Sequence, residues 1–424
     1  MISSNEAQQL IRNGRIDEAQ RAYEAILERS PGNVEALNAL GVMALRQGQA
    51  RQAVELLTKA ATSDPQDALT QHQLARALHA SGNLVSATLA QQRAVQLNAE
   101  FFVARLHLGE LLEMAGERQQ ALLHYGRALR DAQDKQRWIN PQTTPEPLRP
   151  LVEHAVLTFR AGRRELLLSI IEPLARRHGA SSLARVERCL RIHLGEEAAP
   201  YSDPRQQPTF LYFPDLPASP YMDRDLCPWL ADLEVATASI QSELSRLIES
   251  SQGRERVFTS DELEKANLQG LRGRPAWDGY YFYRHGEARD ENCVLCPNTL
   301  QALDALPLCR AREHAPEVFF SVLAPGTRLM PHRGVTNTRI VGHLPLLVPQ
   351  DCALSVAGEM HEWREGRVVV FDDTYEHEAW NRSESIRVVL IFDIWNPHLT
   401  DIECQAIADL VPAIGDFRKA LAAV

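Results

Sequence analysis

Cysteine is scarce in this sequence: there are seven among 424 residues, an odd number thinly spread. That argues against a disulfide framework and leads us to expect a reduced, cytoplasmic setting. Cys293 and Cys296 form a lone C-x-x-C. A structural zinc ordinarily takes four ligands and no second pair lies nearby, so the pair reads as two ordinary thiols, with a redox pair as the alternative. An excess of positive charge is also missing: 45 Lys+Arg stand against 55 Asp+Glu, for a net charge of −10. Phosphate backbones require concentrated positive charge, so a nucleic-acid partner is not expected. No run of roughly 18 apolar residues occurs, and no membrane span is expected. Met1-Ile2-Ser3-Ser4-Asn5-Glu6 has no basic stretch followed by an apolar one, so no signal peptide is expected.

What is present falls into two parts. The first part repeats. Gly14, Gly48, Gly82 and Gly116 recur at a 34-residue period, and Ala19, Ala53, Ala87 and Ala121 follow them in register. Ala60, Ala94 and Ala128 recur too, with Ile26 in the first copy, and Pro31 and Pro65 close the first two units. Short side chains let the two helices of a hairpin approach, and glycine permits the turn between them. The period and the small-residue pattern over 1–132 resemble tetratricopeptide repeats, which stack into an α-helical solenoid with a groove for a protein or peptide partner. Gln71 and Arg105, where the second unit has Leu37, are expected to tune that groove. Apolar spacing predicts helices over 148–161, 164–177 and 181–194, broken at Gly162 and Gly179, so 133–196 reads as a helical extension. The proline-rich stretch 197–209 is the expected domain boundary.

The second part changes texture. A helix is predicted over 230–249. Short strands are then predicted near 279–283, 318–323, 338–347, 352–357, 367–371, 376–381 and 386–394, punctuated by Pro325-Gly326, Gly334, Gly358 and Gly366. Many short strands with turn signals argue for a barrel or jelly roll over 210–400, followed by a C-terminal helix over 401–424. The whole is thus a multidomain α + β chain. Trp277, Asp278, Tyr280 and Tyr283 could line an entrance, although aromatics at such spacing are more often sheet packing.

Two histidines, His332 and His377, stand at the edges of β-like runs. Alone they are weak signs of a metal. Asp372-Asp373 and Glu376 and Glu378 surround the second, and acidic neighbours are expected to raise a metal-free histidine's pKa. Arg387 lies inside the apolar run Ile386–Ile391, where a guanidinium needs a buried anion.

These residues carry a resemblance. Pro325-Gly326-Thr327, Pro331-His332, Gly334, Thr336-Asn337, Arg339, His343-Leu344, Trp363, Glu365-Gly366, Phe371-Asp372-Asp373, Glu376-His377-Glu378, Trp380 and Asp393-Ile394-Trp395-Asn396-Pro397 occur in an order that resembles the aspartyl/asparaginyl β-hydroxylase family. The resemblance implies a double-stranded β-helix (jelly-roll) domain, Fe(II), 2-oxoglutarate and O2. It implies His332 and His377 as metal ligands and Gly334 where the wider superfamily has a carboxylate ligand. It implies Arg387 and Ser321 for the distal carboxylate of 2-oxoglutarate, His343 near its other end, and Arg339 and Asn337 on the substrate side. Asp373 is expected near the metal. One departure is Val341, where animal members carry an arginine, and it puts an acidic substrate in doubt. The expected activity is hydroxylation of an unactivated C–H, of the Asp/Asn β-hydroxylation type, on a peptide or protein side chain recruited by the repeat groove. The alternatives are a free or carrier-bound amino acid or a lipid acyl chain, and a repeat scaffold whose oxygenase-like domain is inactive. The oligomeric state is left open.

Overall fold

The computed structural model describes residues 3–250, 255–256 and 277–424. The chain divides into two compact units, Met1–Glu165 with Phe417–Val424, and Leu166–Asp416.

The first unit is a series of helical hairpins: α1 (Ser4–Arg12) with α2 (Ile16–Arg29), α3 (Val34–Arg46) with α4 (Ala50–Ser63), α5 (Ala68–Ala80) with α6 (Leu84–Leu97), and α7 (Phe102–Met114) with α8 (Arg118–Asp134). Each hairpin turns on one of the four periodic glycines, at φ between +74° and +84°, a region that side chains with a Cβ rarely adopt. Asn33 and Asp67 cap α3 and α5 by accepting hydrogen bonds from first-turn amides. Ala19, Ala53 and Ala87 are completely buried. A Cβ on Gly41 or Gly109 would collide with Leu57 or Tyr125, so small residues set the spacing within a hairpin.

Two expectations are corrected here. Gly162 does not break a helix, because α9 runs without interruption from Arg149 to His178. The glycine serves close approach instead, since a Cβ there would press on Leu122 of α8. Gln71 and Arg105 do not face a groove; both are buried, and Arg105 donates from Nη2 to the Ala99 carbonyl. The groove is lined instead by Ile11, Val42, Met43, Arg46 and Leu69.

In the second unit, the remainder of α9 and α10 (Ala184–His193) pack with Leu211, Phe213 and the Ala406–Ile414 part of α15 (Asp401–Ala423). Helices α11 (Leu230–Val235), α12 (Thr237–Ser250), α13 (Asp290–Cys293) and α14 (Pro297–Asp304) precede or interrupt the sheets. Strands β1 (Glu255–Arg256), β2 (Trp277–Arg284), β3 (Glu287–Ala288), β4 (Val318–Leu323), β5 (Thr327–His332), β6 (Arg339–Leu347), β7 (Cys352–Val356), β8 (Glu359–Glu362), β9 (Val369–Phe371), β10 (His377–Asn381) and β11 (Arg387–Trp395) form two antiparallel sheets. The larger has the order β1-β2-β4-β11-β6-β9, with β3 beside β2, and the smaller has the order β5-β10-β7-β8. This is the double-stranded β-helix. Strand β5 escaped the sequence reading because it carries Pro331. Proline is tolerated there because β5 lies at a sheet edge, where one face of the backbone needs no partner.

Alternation does the sorting. On β11, Val388, Leu390, Phe392 and Ile394 pack against α11, α12 and α14 on one side of the large sheet. The intervening residues point toward the small sheet, where Val389 joins Leu323, Leu329, Val341, Leu354 and Phe371. Both faces of β11 are therefore buried.

The first unit also buries a histidine. His72 is 3% exposed, with Nδ1 3.0 Å from the Gln91 amide nitrogen, which itself donates to the Ala104 carbonyl. Burial, then the neighbouring His107, pull its pKa down from 6.5 to about 3. A lowered folded-state pKa means that the stability is present above pH 6.5 and is lost as pH falls toward 3. Between pH 6.5 and pH 5 that amounts to about 2 kcal/mol. Denaturant unfolding should show this slope in the native chain and a flatter one in His72→Gln.

Candidate active site

Alternate residues of four strands converge on one cavity of about 390 Å³. Strand β4 contributes Phe319 and Ser321, β6 contributes Arg339, Val341 and His343, β11 contributes Arg387, Ile391 and Asp393, and β10 contributes His377 and Ala379. Within each set the spacing is two or, from Arg387 to Ile391, four, as the strand period requires. His332 enters from the end of β5.

The register makes the histidines neighbours: His377 on β10 lies directly opposite His332 on β5. Their ring centroids are 4.1 Å apart. Nδ1 of His332 lies 2.8 Å from the Met330 carbonyl and Nδ1 of His377 lies 3.0 Å from the Tyr375 carbonyl. A carbonyl can only accept, so each Nδ1 carries the proton and each Nε2 keeps its lone pair. Burial, then His332, hold the pKa of His377 down at about 3; burial lowers that of His332 as well. The expected upward shift from acidic neighbours is thus reversed. Glu376 and Glu378 engage Arg333 and Arg328 instead of the ring. The pair suits a divalent metal through two imidazole nitrogens. Among the described residues no cluster of three or more His, Cys, Asp or Glu is arranged to hold a metal by itself.

Arg387 is 1% exposed. Its Nη1 donates to Oγ of Ser321 at 3.2 Å and its guanidinium lies 4.7 Å from the Trp363 ring centroid. Its Nε has no partner, and among the described residues no carboxylate pairs with it. Burial pulls its pKa down to about 9. Ser321 Oγ also accepts from Trp277 Nε1 at 2.8 Å. With two donors already on the oxygen, the serine hydroxyl proton is left to donate to an anion. His343, with an unpartnered Nδ1, sits between this seat and the histidines, and burial, then Arg387 and His377, keep it neutral.

Arg339 is held differently. It pairs with Asp393, and its Nη2 lies 3.4 Å from Oδ2 of Asp373. Burial would lower its pKa, but Asp393 and then Asp373 outweigh it and the net shift is upward. Asp373 is itself pushed up to about 7 by burial, against the pull of Arg339. Its carboxylate fills the space that a Cβ on Gly334 would need, and Oδ1 has no partner. The glycine two residues after His332 therefore makes room for a carboxylate delivered from the β9–β10 connection.

Asn337 does not reach the cavity, correcting its assignment to the substrate side. Its Oδ1 accepts from the Phe213 amide and its Nδ2 donates to the Phe213 carbonyl, tying down the segment before α11. Of the four candidate entrance residues only Trp277 lines the cavity; Tyr280 and Tyr283 pack on the helix side. Tyr281 lines it instead, with its ring stacked on Phe319 at 4.7 Å. Parity counted from Trp277 points to Tyr281, and the register shift between Tyr281 and Tyr283 moves Tyr283 off that face. Asp393 and Glu317 also line the cavity; Asp393 lay inside a quoted motif without a role.

Residues 234–397 match the family described as aspartyl/asparaginyl beta-hydroxylase, and residues 5–68 match tetratricopeptide repeats. Aspartate beta-hydroxylase domain-containing protein 2 of Mus musculus is 31% identical over 261 residues, covering 60% of this chain and 73% of that protein. The chain belongs to the aspartyl/asparaginyl β-hydroxylase family. The Homo sapiens protein of the same name is 30% identical, and the match spans 59% of this chain and 66% of that relative, about two thirds of its length. The aspartyl/asparaginyl beta-hydroxylase of Homo sapiens is 34% identical over 133 residues, or 31% of this chain and 17% of that one. A solved structure of MamA is 27% identical, covering 36% of this chain and 90% of that one, at a TM-score of 0.29. Membership in the β-hydroxylase family supports hydroxylase activity in general.

An unpaired guanidinium in this seat should make the ligand-free protein less stable than an apolar replacement. Arg387→Met is expected to stabilise the ligand-free chain by about 1–3 kcal/mol while abolishing anion binding. Thermal melts with and without 2-oxoglutarate check both halves.

Proposed function

We propose that this protein is an iron(II)- and 2-oxoglutarate-dependent dioxygenase that hydroxylates an unactivated C–H bond on a peptide or protein side chain. One observation carries the reading: two histidines whose Nδ1 atoms face backbone carbonyls share a cavity with a buried arginine that, among the described residues, has no carboxylate partner. The first suits a metal and the second suits a dicarboxylate that also reaches the metal.

Bound iron(II) would supply activation of dioxygen, one oxygen atom going to the substrate carbon and the other to the succinate left when 2-oxoglutarate loses carbon dioxide. The chain's own residues do the rest. Arg387 and Ser321 hold the distal carboxylate, and Trp363 packs against the guanidinium. His343 stays neutral beside the cosubstrate. The carbonyls of Met330 and Tyr375 keep the two imidazoles in the tautomer that binds metal. Asp373 offers the unpartnered Oδ1 as an acceptor where residue 334 has no side chain. Phe371 and Leu354 present apolar surface beside the histidines and keep water away from them.

The groove of the repeat unit supports a peptide or protein substrate. It presents Leu69, half exposed, with Ile11, Val42 and Arg46. A cytoplasmic setting is part of the same proposal, on the ground that all seven thiols are free and six of them are buried.

Loss of a residue beside a metal ligand typically costs about 10–100-fold in affinity or activity, so His377→Ala should lose more than that. Release of succinate from 2-oxoglutarate, with iron(II) and a peptide mixture, is the readout; undiminished release by His377→Ala refutes the reading. Leu69→Glu, an exposed change, should raise KM for a protein substrate several-fold and leave succinate release without substrate unaltered.

A further inference from the structure

We propose that the group this site presents for oxidation is an uncharged aliphatic segment, such as a leucine-like side chain, and not a carboxylate. The proposal rests on the dioxygenase reading above and specifies its substrate class.

The argument is one of charge and surface. Among the described residues lining the cavity, Arg387 is the cation without a carboxylate, and it sits at the Ser321 end where the cosubstrate belongs. Arg339, toward the other end, is already shared between two acids, Asp393 and Asp373. That guanidinium already faces two carboxyl groups and has no charge left unmatched. Glu317 adds a carboxylate, paired with His285 at 2.7 Å, and its backbone amide donates to Asp393 Oδ2. Arg284, at the rim, pairs with Glu255 at 2.7 Å and lies over the Tyr281 ring. Among the described residues, a substrate carboxylate would therefore meet arginines that are each already engaged and three acids close by. It would lose its hydration and gain no unmatched cation among them, which is unfavourable in a buried site.

The rest of the wall is apolar. Val341 lies directly across from Asp393 in the β6–β11 register. Ile391, Phe319 and Tyr281, paired in register across three strands, continue that apolar surface. Methyl and methylene groups gain free energy on entering such a wall.

Leucine and aspartate side chains have similar shape and differ in charge, which makes them the probes. The full-length chain, loaded with Mn(II) and 2-oxoglutarate without oxygen, is titrated calorimetrically with N-acetyl-leucine methylamide, N-acetyl-aspartate methylamide and N-hexanoyl methylamide. The leucine probe should bind at least about tenfold tighter than the aspartate probe. The ranking of the leucine and hexanoyl probes tells whether a side chain or an acyl chain is the better source of the segment, and either ranking supports the proposal. Asp393→Asn leaves Arg339 with Asp373 alone, so the aspartate probe should gain several-fold while the leucine probe does not change. Val341→Arg, a second variant should the first not fold, should produce the same gain by adding an unpaired cation. Equal or tighter binding of aspartate by the native chain overturns the proposal, as does binding of neither uncharged probe, or no gain for aspartate in a folded variant. Failure of 2-oxoglutarate itself to bind the Mn(II)-loaded chain indicts the dioxygenase reading instead.

Discussion

The organisation of the second unit follows from one constraint: β11 is buried on both faces. A strand with one face in water can carry charge there at little cost. A strand covered by helices on one side and by a second sheet on the other has no such outlet. Val388, Leu390, Phe392 and Ile394 meet this condition by being apolar. Arg387 and Asp393 do not, and each needs a partner. Asp393 has Arg339 and the amide of Glu317. Arg387 has one serine and an indole face. The difference between those two solutions separates a structural charge from a binding one: the first is complete in the folded chain, and the second is completed by what enters the cavity.

The small sheet obeys a related constraint. Antiparallel register is set by side-chain alternation, since a slip of one residue would turn the interior of β10 outward. Ala379 faces Leu329 and Leu354 across the sheet, and a register shift between Ala379 and His377 then sets His377 opposite His332 instead of Pro331. The two imidazoles are thus held together by packing several residues away, and their tautomers by carbonyls two residues back along the chain. The nearby carboxylate reaches the histidines from a different direction than it would in a His-x-Asp arrangement. A side chain on residue 334 and the carboxylate of Asp373 would need the same volume, and the glycine settles the competition in favour of Asp373. A short backbone contact, the Gly334 amide to the Asp373 carbonyl at 2.6 Å, holds the two segments in that relation.

Much of this was legible in the sequence because it depends on period. Four glycines at 34-residue spacing marked the hairpins, and alternation around Arg387 marked a two-sided strand. His332, His377, Ser321, His343, Arg339 and Arg387 were picked out and do meet in one cavity. The failures have a common cause in what period does not carry. Gly162 reads as a break because a glycine in a helix is unfavourable in isolation; only the approach of Leu122 explains it. Asn337 sits among site residues in the chain and is used up by Phe213, more than a hundred positions away. The acids flanking His377 looked like its electrostatic environment, but adjacent residues on a strand point to opposite faces, and Glu376 and Glu378 find arginines there. Asp393 was visible and unassigned because its partner, Arg339, lies on another strand.

The two arginines of the cavity show how one residue type can do opposite work in a single site. A guanidinium whose charge is unmatched in the folded chain is an open demand for an anion, and it binds because it was left unsatisfied. A guanidinium held between two carboxyl groups makes no such demand; it fixes the geometry of Asp373 and Asp393. Along β11 the inward positions run from the anion seat of Arg387 and Ser321, past Ile391 with Phe319 and His343 beside it, to Asp393 across from Val341. Chemistry that consumes a dianion and oxidises a neutral carbon fits that sequence of environments. Chemistry that requires two anions in the same cavity would need a second unmatched cation, and among the described residues the cavity wall holds only one.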